Sequence, residues 1–208
     1  EGPNSGQWGD FNNDGLEDIF MTGFNVARSY LYKNNGNGTF SKLPNNAYYY
    51  SNGRSITWGD YNNDGFLDAF SPDYSTDSVA FTSVFKNNGN ETFTRIQLPS
   101  AHTAAGVWLD SDNDGDLDLV YHDAATTSTL YRNDGNDTFT SITGVFTTYT
   151  SWNPVAVDIN NDNRMDLFFP NSSTQSSSLT RALYINNGNN TFALNSTSPL
   201  VTDVLTSD

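Results

Sequence analysis

The sequence predicts an all-β protein, a β-propeller built of four-stranded antiparallel blades, with four blades in this chain. Three observations predict it. Gly, Asn, Asp, Ser and Thr are abundant, which is typical of a chain with many turns. A two-part motif recurs four times at spacings of 50, 50 and 48 residues, the length of a propeller blade. Each copy holds four short apolar segments separated by turn residues, which predicts four strands.

The first part of the motif is an acidic loop, and the second is a turn that follows at a similar distance in every copy. The four acidic loops lie in QWGDFNNDGLEDIF, TWGDYNNDGFLDAF, VWLDSDNDGDLDLV and AVDINNDNRMDLFF. The four turns lie in LYKNNGNGTF, VFKNNGNETF, LYRNDGNDTF and LYINNGNNTF. Two blocks that recur in the same order make chance a poor explanation. We predict a single repeat domain, 1–208, with blades at approximately 1–50, 51–100, 101–148 and 149–208.

The strands of each copy follow from these blocks. The first strand is predicted to end near the residue that occupies the tryptophan position before the loop (Trp8, Trp58, Trp108 and Ala156), and the second leaves the loop. The third ends at an Asn-Asn-Gly or Asn-Asp-Gly turn, because Gly and Asn tolerate positive φ. The fourth is predicted to begin at a phenylalanine: Phe40, Phe93, Phe139 and Phe192. We expect the aromatic residues to pack between neighbouring sheets. A linear stack of sheets would use the same repeats without closing a ring.

The negative charge is concentrated in the acidic loops. The formal net charge is −15, and fifteen of the 24 Asp and Glu residues lie in these four segments. This charge argues against a nucleic-acid partner, because neutralising phosphates requires clustered Lys and Arg. The chain has no cysteine, so it has no disulfides, no Cys-type zinc site and no thiol nucleophile. No apolar run is long enough to predict a membrane span.

Each loop has oxygen-bearing side chains at positions 1, 3, 5 and 9, counted from its first aspartate. Position 6 is Gly in three loops and Asn163 in the fourth, residue types that adopt positive φ. Ca²⁺ prefers six to eight hard oxygen ligands, and alternate side chains of a tightly wound loop can converge on one point. The carbonyl at position 7 would add a ligand. We predict about four Ca²⁺ ions, one per blade, bound by Asp10, Asn12, Asp14, Leu16 and Asp18; Asp60, Asn62, Asp64, Phe66 and Asp68; Asp110, Asp112, Asp114, Asp116 and Asp118; and Asp158, Asn160, Asp162, Arg164 and Asp166.

The loops match other kinds of metal site less closely. The opening resembles an EF-hand loop, but position 12 is never Glu: it is Met21, Ser71, Tyr121 and Phe169. Zinc and copper fit poorly because the loops contain no His or Cys. Magnesium prefers more water and a stricter octahedral geometry. Acidic turns without a metal would use the same residue types, but four loops in register, each with crowded carboxylates, favour a cation.

The W-G-D-[FY]-N-N-D-G-x-x-D and L-Y-x-N-N-G-N-x-T-F blocks resemble the FG-GAP/VCBS repeats of integrin α-subunit-like propellers and related secreted proteins. The fourth copy departs from the pattern with Ala156 and Asn163. The resemblance implies a propeller with calcium loops on one rim, an extracellular location, and a role in adhesion or carbohydrate binding. Propellers of that family usually have about seven blades, whereas this chain has four. A small ring, a pairing of two copies and a piece of a longer protein all stay open.

Six Asn-x-Ser/Thr sequences are candidate glycosylation sites: Asn37, Asn90, Asn136, Asn171, Asn189 and Asn195. Four of them directly follow the Asn/Asp-Gly turn of a blade. In a secreted eukaryotic protein such exposed turns are good acceptors, whereas in a bacterium the same residues would serve only as turns.

The leading hypothesis for function is an extracellular or cell-surface calcium-binding module, non-catalytic, that binds a glycan or a protein. Tyr48, Tyr49 and Tyr50 are a candidate contact surface. The alternative is a structural glycoprotein whose copies assemble into larger particles or filaments. We expect no enzyme, because His102 and His122 stand in no recognisable catalytic arrangement and neither a nucleophile elbow nor a phosphate-binding glycine loop occurs.

Overall fold

The computed structural model describes residues 3–23, 29–44, 55–72, 82–98, 103–123, 128–146, 153–170 and 181–202. These residues form sixteen strands and one short helix, α1 (Pro199–Thr202). The strands of the first two repeats are β1 (Pro3–Gly9), β2 (Asp18–Gly23), β3 (Tyr30–Asn34), β4 (Phe40–Lys42), β5 (Thr57–Gly59), β6 (Asp68–Ser71), β7 (Ser83–Asn87) and β8 (Phe93–Gln97). Those of the last two repeats are β9 (Thr103–Leu109), β10 (Asp118–Asp123), β11 (Ser128–Asn133), β12 (Phe139–Ile142), β13 (Val155–Val157), β14 (Asp166–Phe169), β15 (Ala182–Gly188) and β16 (Thr191–Leu194).

Each repeat folds into one four-stranded antiparallel sheet, in which consecutive strands are neighbours. We call the sheets blade one (β1–β4), blade two (β5–β8), blade three (β9–β12) and blade four (β13–β16). Their first strands contact each other in chain order, β1 with β5, β5 with β9 and β9 with β13. The prediction of an all-β propeller of four-stranded antiparallel blades is thereby confirmed.

The predicted strand positions agree with the structure except at the end of blade four. There the fourth strand begins at Thr191, one residue before the predicted Phe192. The reason is the turn: β15 continues to Gly188, and the chain reverses over Asn189 and Asn190, which both have positive φ (53° and 60°). Two consecutive residues of positive φ make the tight turn that suits the twist of a hairpin.

The hydrophobic core lies between the blades. Central strands are buried on both faces, as in β6, whose four residues are all buried, whereas β4 at the outer edge of blade one is exposed. The apolar residues form three clusters, one for each contact between adjacent blades. The first joins Phe11 and Phe20 of blade one to Phe85 and Phe93 of blade two. A single blade therefore buries its faces only against its neighbours, as expected for a repeat architecture.

This architecture brings the acidic loops together. Each loop connects the first strand of its blade to the second, so all four lie at corresponding ends of their sheets. Neighbouring loops also hydrogen-bond to each other: the Asn13 side chain donates to the Gly65 carbonyl (2.8 Å), and the Asn63 side chain donates to the Gly115 carbonyl (3.0 Å). Loops one to three thus form a continuous rim.

Candidate metal centres in the acidic loops

The carboxylate at position 1 organises each loop. In the first loop the Asp10 side chain accepts hydrogen bonds from the backbone N–H groups of Asp14 (3.0 Å) and Gly15 (2.8 Å). The equivalent bonds recur in the other three loops, on Asp60, Asp110 and Asp158. One carboxylate therefore winds the chain into a compact turn, which is the local structure that the alternating oxygen pattern predicted.

Two positions of each loop have a left-handed backbone conformation, with positive φ. Position 6 has positive φ in all four loops, as the sequence predicted: Gly15 (85°), Gly65 (87°), Gly115 (94°) and Asn163 (65°). Position 4 also has positive φ, which was not predicted from the sequence: Asn13 (57°), Asn63 (56°), Asn113 (64°) and Asn161 (58°). Asparagine tolerates this conformation better than most residues, which explains why all four copies have it at position 4.

The carboxylate at position 5 lies next to the backbone of position 7. In each loop its Oδ1 atom accepts the N–H of that residue, at 3.0 Å between Leu16 and Asp14 and at closely similar distances in the other copies. In the first loop the second oxygen of this carboxylate, Asp14 Oδ2, lies 3.7 Å from the ammonium group of Lys33. The position-5 side chain therefore lies against the backbone N–H of position 7, the residue whose carbonyl is predicted to supply a further ligand oxygen.

The carboxylate at position 9 is buried and joins the loop to the third strand. Asp18, Asp68, Asp118 and Asp166 are each at most 1% exposed. One oxygen of each accepts the backbone N–H of an asparagine in the third strand, at 2.7–2.8 Å; this asparagine is the last residue of the strand in blades one to three and lies two residues before its end in blade four. Burial raises the pKa of Asp68 to about 7 and that of Asp118 to about 6, although hydrogen bonds to each carboxylate oppose the shift. A carboxylate oxygen that accepts one N–H keeps a lone pair for a cation.

The third loop brings three of its predicted ligand carboxylates together, whereas Asp114 and Asp116 are not part of this group. Asp110, Asp112 and Asp118 each offer an oxygen within 4.8 Å of the others. Asp112 uses Oδ2 to accept a hydrogen bond from Asn190 of blade four (2.8 Å), while its Oδ1 is buried and has no hydrogen-bond partner. A buried carboxylate oxygen without a partner is costly. A hard divalent cation bound by these oxygens would remove that cost, so the residues present fit Ca²⁺.

The fourth loop contains its own cation. Arg164 at position 7 makes an ion pair with Asp162 at position 5, and its Nε donates to the carbonyl of Asn186 (2.9 Å). The guanidinium thus lies against one of the predicted ligands. The same position is Leu16, Phe66 or Asp116 in the other loops. The fourth loop has the predicted backbone but a different electrostatic environment.

A second feature of the site was not predicted from the sequence, in which the asparagines near the end of the third strand resemble turn residues. Asn87 and Asn133 are buried, and their side-chain amides donate across the blade boundary to the carbonyls of Phe11 (2.7 Å) and Tyr61 (2.8 Å) at loop position 2. The available signal was position: an asparagine occurs at this point in all four copies, before the turn begins.

The other predicted residues lie in several places. Asn37, Asn90, Asn136 and Asn189 are exposed at the turn between the third and fourth strands, and Asn195 is partly buried after β16. Asn171, the run Tyr48–Tyr50 and His102 lie outside the described residues. His122 is buried in β10.

Comparison with known proteins agrees with this architecture. The FG-GAP-like repeat family matches residues 10–71 and 110–169, together more than half of the chain. The chain therefore belongs to the FG-GAP-like repeat family. Among the curated proteins no significant sequence match is found.

A solved structure with a similar fold is that of a lectin from Agrocybe aegerita. That structure is described as showing how the lectin specifically recognises non-reducing terminal N-acetylglucosamine. The two chains are 17% identical with a TM-score of 0.61, and the match covers 91% of this chain and 51% of the lectin. The chain thus spans about half the length of that protein. At this identity the likeness concerns the fold. Within the described residues, no helix is long and apolar enough to cross a membrane.

Proposed function

We propose that this chain is a calcium-binding, non-catalytic binding module of an extracellular or cell-surface protein. The observation that carries the proposal is the shared geometry of the four loops. Each is wound around a position-1 carboxylate, has positive φ at position 6, and keeps oxygen-bearing side chains at positions 1, 3, 5 and 9. Acidic turns without a metal would not need the same geometry in all four copies, whereas a cation site in every blade requires it.

The residues that would hold the ions are the twenty predicted from the sequence, five in each loop. Bound Ca²⁺ would supply the positive charge that offsets the repulsion among the carboxylates of one loop. The orphaned oxygen of Asp112 supports a site in the third loop, and the ion pair of Arg164 marks the fourth loop as the weakest. We propose strong sites in loops one to three and a weaker site in loop four.

Calorimetric titration of chelator-treated chain with Ca²⁺ tests the metal. We expect at least three sites of similar affinity, much weaker binding of Mg²⁺, and a higher melting temperature in Ca²⁺ than in EGTA. Each site filled at about 100 times its dissociation constant would stabilise the fold by about 2.7 kcal/mol. An unchanged melting temperature and no heat of binding would refute the calcium proposal.

The ligand is proposed to be a glycan or an extracellular protein. Support comes from the FG-GAP-like family and from the similarity in fold to a lectin. The first probes are glycans ending in N-acetylglucosamine, with galactose-ended glycans for comparison, screened in Ca²⁺ and in EGTA. Calcium-dependent retention of a glycan would support a lectin; no retention would direct the search to protein ligands.

Glycosylation is proposed at the turns, with Asn37 and Asn90 as the first candidates. Both are exposed, and the side-chain oxygen of each accepts hydrogen bonds from the N–H and hydroxyl of the threonine two residues later. Expression through a eukaryotic secretory pathway, followed by removal of N-linked glycans, should lower the mass of the chain. Asn37→Gln and Asn90→Gln should each reduce that decrease in mass by the mass of one glycan. A mass unaffected by the enzyme would contradict the proposal.

A further inference from the structure

Adjacent blades contact each other through a repeated pair of positions. We call a contact between two blades a seam, the residue directly before the loop aspartate the seam glycine position, and the residue before that the seam tryptophan position. At the first seam Trp58 of blade two packs on Phe20 of blade one, with ring centroids 5.6 Å apart. At the second, Trp108 packs on Phe70 at 6.3 Å. Each indole N–H also donates to a carbonyl of the preceding blade, Gln7 (3.4 Å) or Thr57 (3.3 Å).

The tryptophan leaves no room at the seam glycine position of the preceding blade. A Cβ added to Gly9 would lie 2.9 Å from atoms of the Trp58 ring, and one added to Gly59 would lie 2.7 Å from Cδ1 of Trp108. Carbon atoms do not approach so closely without displacing one another, and a packed indole has little room to move. A tryptophan in one blade therefore requires glycine in the blade before it.

The third seam also pairs a large residue with a small one, but the large residue is at the seam glycine position and the small residue at the seam tryptophan position. Blade four has Ala156 at the seam tryptophan position, and blade three has Leu109 at the seam glycine position. Leu109 is 1% exposed and Ala156 packs against the same cluster. The pair Leu109–Ala156 thus replaces Gly–Trp, so the two positions vary together in volume.

The seam tryptophan position of blade one and the seam glycine position of blade four do not have complementary volumes. Trp8, at the seam tryptophan position of blade one, is 56% exposed, whereas Trp108 is 7% exposed. Phe40, in ring contact with Trp8, is 42% exposed, whereas its counterpart Phe93 is buried. On blade four the seam glycine position is Val157, whose side chain would occupy the space that the Trp8 ring needs.

We propose that the face carrying Trp8 and Phe40 is a seam for a further blade of the same repeat, and that blade four is not its partner. The partner is a four-stranded FG-GAP-like blade with glycine at the seam glycine position and an aromatic residue equivalent to Phe20. A second copy of these four blades offers only Val157 at that position, so direct head-to-tail closure of one chain or of two identical chains is excluded. This argues against the assembly of identical chains into filaments through these two faces.

The test adds one blade in front of the full chain. A copy of residues 51–100 placed before Glu1 keeps the 50-residue spacing between loop aspartates and presents Gly59 to Trp8. The matched control adds residues 149–198, which keep the same spacing but present Val157. A third chain carries Val157→Gly in that added copy alone. Fluorotryptophan is incorporated, and the resonance of Trp8 is assigned with Trp8→Phe.

Accessibility of Trp8 to a soluble paramagnetic probe is the readout, measured in Ca²⁺ with the unextended chain as reference. We expect Trp8 to be accessible in the unextended chain and in the Val157 extension. It should be several-fold less accessible in the Gly59 extension and in the Val157→Gly extension. The Val157 and Val157→Gly extensions differ at one residue, so a failure of the added blade to fold would affect both alike.

Three results would overturn the proposal. Trp8 shielded equally by the Val157 extension would show that valine is tolerated at the seam. Trp8 exposed in the Gly59 extension would show that the face does not accept a blade. Trp8 shielded in the unextended chain, with a mass of one or two chains by sedimentation, would show that blades four and one meet directly.

Discussion

At the scale of single residues, an asparagine at or near the end of the third strand connects each loop to the rest of the blade. The Asn133 side chain donates to the carbonyls of Tyr61 (2.8 Å) and Leu117 (3.3 Å), and its own oxygen accepts the N–H of Gly135 (3.0 Å). Replacing it by Ala would leave a buried carbonyl of the neighbouring blade without a partner. We expect Asn133→Ala to lower the free energy of unfolding by about 1–3 kcal/mol, measured by urea denaturation.

Blade one provides a matched control for that substitution. Asn34 has the equivalent position and donates to Glu17 in its own blade, but within the described residues no blade precedes it to supply a second carbonyl. Asn34→Ala should therefore cost less than Asn133→Ala. Equal losses of stability would show that the hydrogen bond across the seam contributes nothing measurable.

The first loop offers a test of the assignment of ligands among the carboxylates. Asp14 and Glu17 both lie exposed in this loop, but only Asp14 is at a proposed ligand position. We expect Asp14→Ala to remove one Ca²⁺ from the stoichiometry found by titration, because position 5 is proposed to supply a ligand oxygen. Glu17→Ala makes the same change in charge and should weaken binding only slightly. If the two variants lose calcium equally, the loops attract cations by net charge rather than by coordination.

Residue spacing predicted the loop backbone but not the hydrogen bonds inside it. The positive φ at Gly15 and Asn163 could be anticipated because those residue types adopt it readily. The role of Asn133 could not, because an asparagine before an Asn-Asp-Gly turn looks like part of the turn. Only the packing of one blade on another shows that this amide points to Tyr61. Contacts between distant parts of the sequence are invisible to local pattern.

At the scale of the element, the four loops are built alike but are not electrostatically equal. Arg164 places a guanidinium against Asp162, where it would compete with a divalent cation for the same carboxylate. We expect Arg164→Leu, which introduces the residue of the first loop, to raise the calcium affinity of the fourth site several-fold. Calcium titration of both chains measures this. Arg181→Leu removes the same charge outside the loops and should leave affinity nearly unchanged; an equal gain from both variants would indicate a general charge effect.

Blade four also shows where structure prediction from the alignment of the four repeats is least accurate. Its turn differs in length from those of blades one and two, because Asn189 and Asn190 reverse the chain in two residues and extend β15. Asn190 then reaches the third loop, where its side chain donates to Asp112 and its N–H donates to the Ser111 carbonyl (3.2 Å). A repeat alignment averages over such differences, although they decide which atoms face each candidate metal centre.

At the scale of the whole molecule, stability depends on the seams, because each hydrophobic cluster is shared by two blades. Gly59→Ala tests this dependence inside the chain. The added methyl group would lie 2.7–3.0 Å from three atoms of Trp108, which is buried in the second cluster between Tyr61 and Phe70. We expect the free energy of unfolding to fall by about 1–3 kcal/mol, since overpacking a well-packed core forces side chains from their preferred positions.

Gly6→Ala is the control for that prediction. Gly6 also lies in a first strand, but its added Cβ would have no neighbour closer than 3.4 Å, which is an ordinary contact. Its stability should be unchanged or higher by less than about 1 kcal/mol, because alanine restricts the unfolded chain more than glycine does. In the double variant Gly59→Leu with Trp108→Ala, which reproduces the Leu109–Ala156 pair, stability should recover partly relative to Gly59→Leu alone. If Gly59→Ala is as harmless as Gly6→Ala, the volume rule at the seams is wrong, and Val157 would no longer argue against contact between blade four and Trp8.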